Sequence, residues 1–205
     1  MAPNLSKDQA GSIRTFVAIE LPTPILTTVA AVQEKLRVHA GALKIVAPDL
    51  LHLTVRFLGE VQPSQITAVE GATRRAAMAC LPFRLTLSSV GSFGGSAPRV
   101  VWVGLEHDAG LGALLRLHRG LEEELAAAGF ERDRRPLAPH LTIARVRDAV
   151  PRPEARALGD TIAGLAGGTP PSGSFEVMEL TVMRSDLSPR GPRYTPLAHT
   201  RLGGT

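Results

Sequence analysis

The sequence predicts an α+β fold in which two duplicated αβ lobes face each other across a central cleft. The pattern His-x-Thr-x occurs at residues 52–55 and again at 140–143, each time in an apolar stretch typical of a strand. Around each copy runs the same order of strand, helix, His-x-Thr-x strand, helix and strand, and equivalent elements are separated by nearly constant lengths of chain. A pseudo-twofold axis between the lobes would bring the two patterns together.

Length and composition allow this fold and restrict the classes of function. The 205 residues, 44% of them hydrophobic, are enough for one bilobal domain, and aliphatic side chains must fill its core because only 4% are aromatic. The single cysteine, Cys80, excludes an internal disulfide framework and fits a reducing cytosol. No apolar run reaches the roughly 18 residues that a membrane span needs. The net charge is +4, and most of the positively charged side chains are arginines, which favours an anionic partner.

The first half of the chain contains one copy of the repeated unit. Residues 1–12 lack an apolar core and are expected to form a disordered lead-in, which places the single bilobal domain at 13–200. Apolar residues at helical spacing from Ile25 to Leu36 predict the first helix. The predicted elements are a strand at 14–22, a helix at 24–39, the His-x-Thr-x strand at 50–58, a helix at 63–79 and a strand at 83–90.

The second half repeats this plan after a glycine-rich loop at 91–98. A leucine stripe predicts its first helix, and Gly129 ends that helix. The predicted elements are a strand at 99–105, a helix at 110–128, the second His-x-Thr-x strand at 140–146, a helix at 153–166 and a strand at 175–183. A turn at 186–193 and a final edge strand at 194–197 complete the prediction.

The two histidines are the candidate catalytic residues. Alternation along a strand places His52 with Thr54 on one face, and His140 with Thr142 on the equivalent face. Because imidazole titrates near pH 6.5, a neutral ring can accept a proton while a protonated ring donates one. An acid and a base on opposite sides of a phosphorus atom suit an in-line displacement. The threonines would orient the rings or bind phosphoryl oxygens.

Three arginines are candidates for binding phosphate, and a metal centre is not expected. Arg56 is predicted on the face of His52, while Arg135 and Arg145 flank the second motif. Strict alternation puts Arg145 on the face opposite His140, so its participation requires a bulge, a strand end or a long reach. A solvated surface position is the other interpretation of each arginine. Neither motif contains Asp, Glu or Cys, which a metal site would need.

Two such motifs in this framework resemble the 2H phosphoesterase superfamily, and within it the RNA 2′,3′-cyclic phosphodiesterases, also called 2′-5′ RNA ligases. The resemblance implies a bilobal α+β fold with antiparallel sheets lining a central cleft. One departure is Lys44-Ile45-Val46, where the family often has an aromatic residue before the first motif. The matching segments are Arg14–Pro22, Leu51–Glu60, Pro98–Gly104, Arg135–Arg145 and Gly191–Tyr194.

The resemblance also implies roles that the symmetric motifs cannot assign. His140 would be the proton acceptor that activates water, and His52 the donor that protonates the departing 3′ oxygen of a cyclic RNA end. Thr54 and Thr142 would hold phosphate oxygens, with no metal or cofactor, in a monomeric cytoplasmic enzyme acting on RNA. Two other functions stay open: a diesterase for 2′-5′ linkages or small cyclic nucleotides, and an RNA-binding or ligase-associated module.

Overall fold

The computed structural model describes residues 11–95, 97–189 and 191–203, so residues 1–10 of the predicted lead-in lie outside it. Short 3-10 helices occupy 37–39, 48–50 and 63–65. The strands and α-helices are β1 (Ile13–Glu20), α1 (Thr23–Leu36), β2 (Leu43–Ile45), β3 (His52–Val61), α2 (Ile66–Met78), β4 (Phe83–Phe93), β5 (Val100–Leu105), α3 (Ala109–Ala127), β6 (Leu141–Val146), α4 (Arg152–Gly167), β7 (Ser174–Val177), β8 (Glu179–Ser188) and β9 (Gly191–Arg201).

All strand pairs in the sheet are antiparallel, and the two motif strands are neighbours at its centre. The order is β7-β4-β5-β6-β3-β1-β8-β9, with β2 also paired to β6. Strands β3 and β6 pair only at Leu53 and Leu141, because β2 covers the other end of the same edge of β6. The strands therefore diverge from a single point of contact. The predicted α+β class with antiparallel pairing is confirmed.

Strands from the two halves of the chain alternate within the sheet. Strand β4, from the first half, pairs with β5 and β7 of the second half. Strand β8, from the second half, pairs with β1 of the first. Strands β4 and β8, which hold equivalent places in the two repeated units, thus each pair with the other unit. The prediction of two lobes treated each half of the chain as one lobe and did not include this exchange.

Several predicted boundaries differ because tertiary pairing decides them. The strand expected at 175–183 is split at Met178 into β7 and β8, which pair with different neighbours. The turn expected at 186–193 is a tight β8–β9 hairpin, so the final strand runs from Gly191 to Arg201 rather than 194–197. Strand β2 was not predicted, and β4 extends to Phe93, into the expected loop.

The core fixes the motif strands by their inward side chains. Leu53, Val55, Leu141 and Ile143 are each at most 1% exposed and belong to one apolar cluster between the sheet and the helices. Burying a side chain of this size contributes about 1.5–3 kcal/mol. These four residues therefore hold the intervening polar side chains on the opposite face of the sheet.

Candidate active site

The structure brings the four predicted motif side chains together in one cleft of about 520 Å³, lined by His52, Thr54, His140 and Thr142 among others. Because Leu53 pairs with Leu141 in antiparallel register, His52 lies opposite Thr142, and Thr54 lies opposite His140. The two histidines are thus diagonal neighbours, close enough for the positive charge of His140 to lower the pKa of His52. The cleft that both imidazoles line is large enough to hold a phosphate group.

Both imidazoles are oriented by the same local contact. Nδ1 of His52 lies 2.8 Å from the carbonyl oxygen of Leu50, and Nδ1 of His140 lies 2.8 Å from that of Ala138. A carbonyl oxygen only accepts, so each Nδ1 carries hydrogen and Nε2 is left for chemistry. A neutral ring then accepts a proton at Nε2, and a protonated ring donates one from the same atom.

The His52 ring is buried among aromatic side chains, and this burial favours its neutral form. Its ring centroid is 4.9 Å from that of Phe16 and 5.1 Å from that of Tyr194. Burial lowers the pKa of His52 below its usual 6.5, and the positive charges of Arg145 and His140 act in the same direction. The hydrogen bond to Leu50 opposes this shift. Negative charge in the cleft would stabilise the protonated ring.

We expect the His52 imidazole to titrate below pH 6.5 in the free protein, and inorganic phosphate to raise that midpoint because an anion stabilises imidazolium. The measurement is an NMR pH titration of the imidazole Cε1–H signals, assigned with His52→Ala and repeated in phosphate. The His39 signal serves as the control. A midpoint at or above 6.5 without phosphate, or a midpoint that phosphate lowers, would contradict this account.

The last residue of each motif is the extra residue of a β-bulge, which changes which side chains reach the cleft. The β1–β3 register moves from Ala18 opposite Thr54 to Val17 opposite Arg56, which leaves Val55 as the extra residue. The β5–β6 register moves past Ile143 in the same way. After a bulge the alternation is shifted by one residue. Arg145 therefore lines the cleft, as does its equivalent in the first motif, Phe57.

The prediction that Arg56 shares the face of His52 is wrong, because the bulge at Val55 turns it away from the cleft. Arg56 is 9% exposed and forms an ion pair with Glu122 of α3, with Asp133 3.7 Å away. Its guanidinium also donates to the carbonyl oxygen of Glu131 at 2.6 Å. Arg56 thus ties β3 to α3 and to the segment that leads to the second motif.

Arg135 also lies outside the cleft. Its side chain is 84% exposed and forms an ion pair with Asp133 at 3.0 Å. The hydrogen bonds from Arg135 lower the pKa of Asp133 to about 2. Both residues line a separate surface groove along α3. The position of Arg135 therefore does not support contact with a phosphate between the histidines.

The described residues provide neither a metal cluster nor a membrane span. No group of three or more His, Cys, Asp and Glu side chains within them could hold a metal ion. No helix in the described part of the chain is long and apolar enough to cross a bilayer.

Comparison with known proteins decides the family. The model of the 2′-5′ RNA ligase superfamily matches residues 22–189, which is most of the chain and includes both motifs. The chain belongs to the 2′-5′ RNA ligase superfamily. The family predicted from the motifs is confirmed.

The similarity between this superfamily member and its relatives extends over nearly the whole length of both chains. It is 32% identical to the RNA 2′,3′-cyclic phosphodiesterase of Methanothermobacter thermautotrophicus over 93% of this chain and 99% of that protein. It is also 32% identical to that of Escherichia coli over 92% and 96% of the respective chains. The prediction of an enzyme of this class is confirmed.

Solved structures of the superfamily share the fold. A protein of Thermus thermophilus matches with a TM-score of 0.74 and 31% identity, over 94% of this chain and 99% of that one. Escherichia coli LigT, crystallised with 3′-AMP, matches with a TM-score of 0.71 and 31% identity over the same shares.

Some residues that line the cleft were missed in the sequence of this superfamily member. Arg14, Phe16 and Tyr194 lie in segments that carried the resemblance, but their strands were interpreted only as core or edge. Because five consecutive residues of β1 are buried, alternation between buried and exposed positions does not show which face of the sheet each side chain occupies. Arg14 lies over the Phe57 ring, 4.5 Å from its centroid, so these side chains form one wall of the cleft.

Gln33 of α1 supports the second bulge and was not predicted. It is 6% exposed, and its Nε2 donates to the carbonyl oxygens of Val46 and Ile143 at 2.8 and 2.9 Å. Ile143 is the extra residue of the bulge that presents Arg145. Gln33 is therefore a positioning residue, and its only sequence signal is a polar side chain within an apolar helical stripe.

Proposed function

We propose that this chain opens RNA 2′,3′-cyclic phosphate ends to 2′-phosphates by metal-free acid–base catalysis with two histidines. The observation that carries the proposal is the matched pair of imidazoles, each held at Nδ1 by a backbone carbonyl and facing one cleft. The names of the relatives support the substrate class. Because one chain provides the whole cleft, we place the reaction in a monomer, and we place that monomer in the cytoplasm.

The proposed reaction uses one proton transfer at each histidine. Nε2 of neutral His140 accepts a proton from water as the water oxygen attacks phosphorus. The bond from phosphorus to the ribose 3′ oxygen breaks, and protonated His52 donates its Nε2 proton to that oxygen. The products are a 3′-hydroxyl and a 2′-phosphate. A 5′-hydroxyl in place of water would give 2′-5′ ligation by the same residues.

The electrostatics of the cleft support this assignment once substrate is bound. Burial favours neutral His52, whereas a donor must start protonated, so the negative charge of the cyclic phosphate has to raise its pKa. Thr54 and Thr142 can donate hydroxyl hydrogens to non-bridging oxygens. Arg145 adds a positive charge where negative charge develops at phosphorus.

The test is incubation with an RNA that ends in a 2′,3′-cyclic phosphate, followed by nuclease digestion and chromatography against 2′- and 3′-nucleotide standards. We expect a 2′-phosphate, with turnover unchanged in EDTA. A 3′-phosphate would contradict proton donation to the 3′ oxygen, and activity lost in EDTA and restored by zinc would contradict the metal-free mechanism. Turnover only of 2′-5′ oligoadenylate or of small cyclic phosphates would identify a different diesterase.

A further inference from the structure

We propose that a groove beside α3 binds the backbone phosphates of the RNA strand whose 3′ end lies in the cleft. This arginine groove has a volume of about 780 Å³ and is lined by Arg116, Arg119, Arg132, Arg134 and Arg135. The proposal rests on the proposed function. It makes an oligonucleotide, rather than a mononucleotide, the preferred substrate.

The cleft and the arginine groove adjoin the same apolar pocket, and each shares lining residues with it. His140 lines both the cleft and an adjoining apolar pocket of about 360 Å³. Leu115 and Leu137 line both that apolar pocket and the arginine groove. From Leu115 the groove continues along α3 to Glu122, a distance of about 10 Å at 1.5 Å per residue. A strand leaving the cleft past His140 would therefore reach the arginines.

The apolar pocket is suited to bases rather than to phosphates. Its wall includes the rings of Phe93 and Trp102, whose centroids are 5.5 Å apart, and the Phe93 ring lies edge-on to His140 at 4.8 Å. Phe93 is 40% exposed and Leu115 37% exposed, so neither is fully covered by the protein. Nucleobases stack on such rings with little dependence on sequence.

The arginine groove has more arginines than carboxylates that could neutralise them. Within the described part of the chain, Arg116, Arg119 and Arg132 make no ion pair, whereas Arg134 and Arg135 are within 4 Å of carboxylates. Two carboxylates of the groove, Glu122 and Asp133, are engaged by buried Arg56, which leaves Glu123 as the exposed one. Guanidinium groups match phosphate oxygens in geometry as well as charge.

The test compares two substrates in Arg119→Ala/Arg132→Ala: an RNA oligomer with a 2′,3′-cyclic end, and adenosine 2′,3′-cyclic monophosphate. We expect KM for the oligomer to rise about tenfold at low salt, while KM for the mononucleotide and both kcat values stay unchanged. The slope of log affinity against log salt for the oligomer should fall by about 1.4, or 0.7 per lost phosphate contact.

The matched control is Arg152→Ala/Arg156→Ala, which removes the same charge from exposed positions on α4 and should leave the oligomer KM unchanged. Equal KM changes for both substrates in Arg119→Ala/Arg132→Ala would overturn the proposal that the groove binds RNA. A wild-type protein that does not prefer the oligomer would overturn it as well. If wild-type protein hydrolyses neither substrate, the proposed function fails instead. Fluorescence anisotropy with a labelled 2′-phosphate oligomer then tests the groove alone, and an affinity unaffected by Arg119→Ala/Arg132→Ala would overturn it.

Discussion

Replacement of either His52 or His140 by alanine is expected to lower kcat for opening a cyclic RNA end by about 10²–10⁴-fold. Each imidazole performs one proton transfer, and each is held in place by its own backbone carbonyl. The double variant should be little worse than the poorer single variant, because groups that act as a unit are not additive. Single-turnover kinetics on the RNA oligomer measure the effect on the chemical step.

The matched control for these variants is His39→Ala. That histidine contacts the hydroxyl of Thr161 at 2.8 Å, between the end of α1 and α4, and does not line the cleft. Its removal should leave kcat unchanged. Circular dichroism would verify that all variants fold. A His52→Ala or His140→Ala protein that keeps most of its turnover would refute the two-histidine mechanism.

Glu122→Ala is expected to lower the free energy of unfolding by about 3–5 kcal/mol, the largest stability effect that we predict. The substitution removes the principal partner of the buried Arg56 guanidinium. The other carboxylate near this guanidinium, that of Asp133, is 3.7 Å away. Urea denaturation followed by circular dichroism measures the loss. Glu124→Ala on the same helix removes the partner of Arg75 from an exposed ion pair and should cost less than about 1 kcal/mol.

The double substitution Arg56→Met/Glu122→Leu separates stability from substrate binding. Apolar residues of similar size can replace a buried ion pair at little cost, so most of the lost stability should return. Because neither Arg56 nor Glu122 lines the cleft, kcat and KM for adenosine 2′,3′-cyclic monophosphate, which does not reach the arginine groove, should stay close to the wild-type values. A large rise in KM for this mononucleotide in a stable double variant would indicate that Arg56 contributes to substrate binding.

The sequence was sufficient to predict the fold class and the site of the histidines. Helical spacing of apolar residues identified α1 and α3, and their buried stripes agree with that spacing. The repeated His-x-Thr-x pattern predicted that His52 and His140 share one cleft, and both line it. Local periodicity and repetition are properties that a single sequence displays directly.

The bulges and the strand exchange could not be predicted in this way. Val55 and Ile143 are ordinary β-branched residues, and nothing local distinguishes a bulge there from regular alternation. The neighbouring strands impose each bulge, which is why strict alternation placed Arg56 on the face of His52 and Arg145 on the face opposite His140. The partners of β4 likewise depend on the whole sheet.

The crossing of β4 and β8 has a consequence for how the protein can be divided. All hydrogen-bonded neighbours of β4 come from the second half of the chain, so a fragment containing residues 11–95 would expose both edges of that strand. Such a fragment could cover them only by binding a second copy or the missing half. Separating the two halves would therefore leave β4 unpaired and would expose the edge of β1 that pairs with β8.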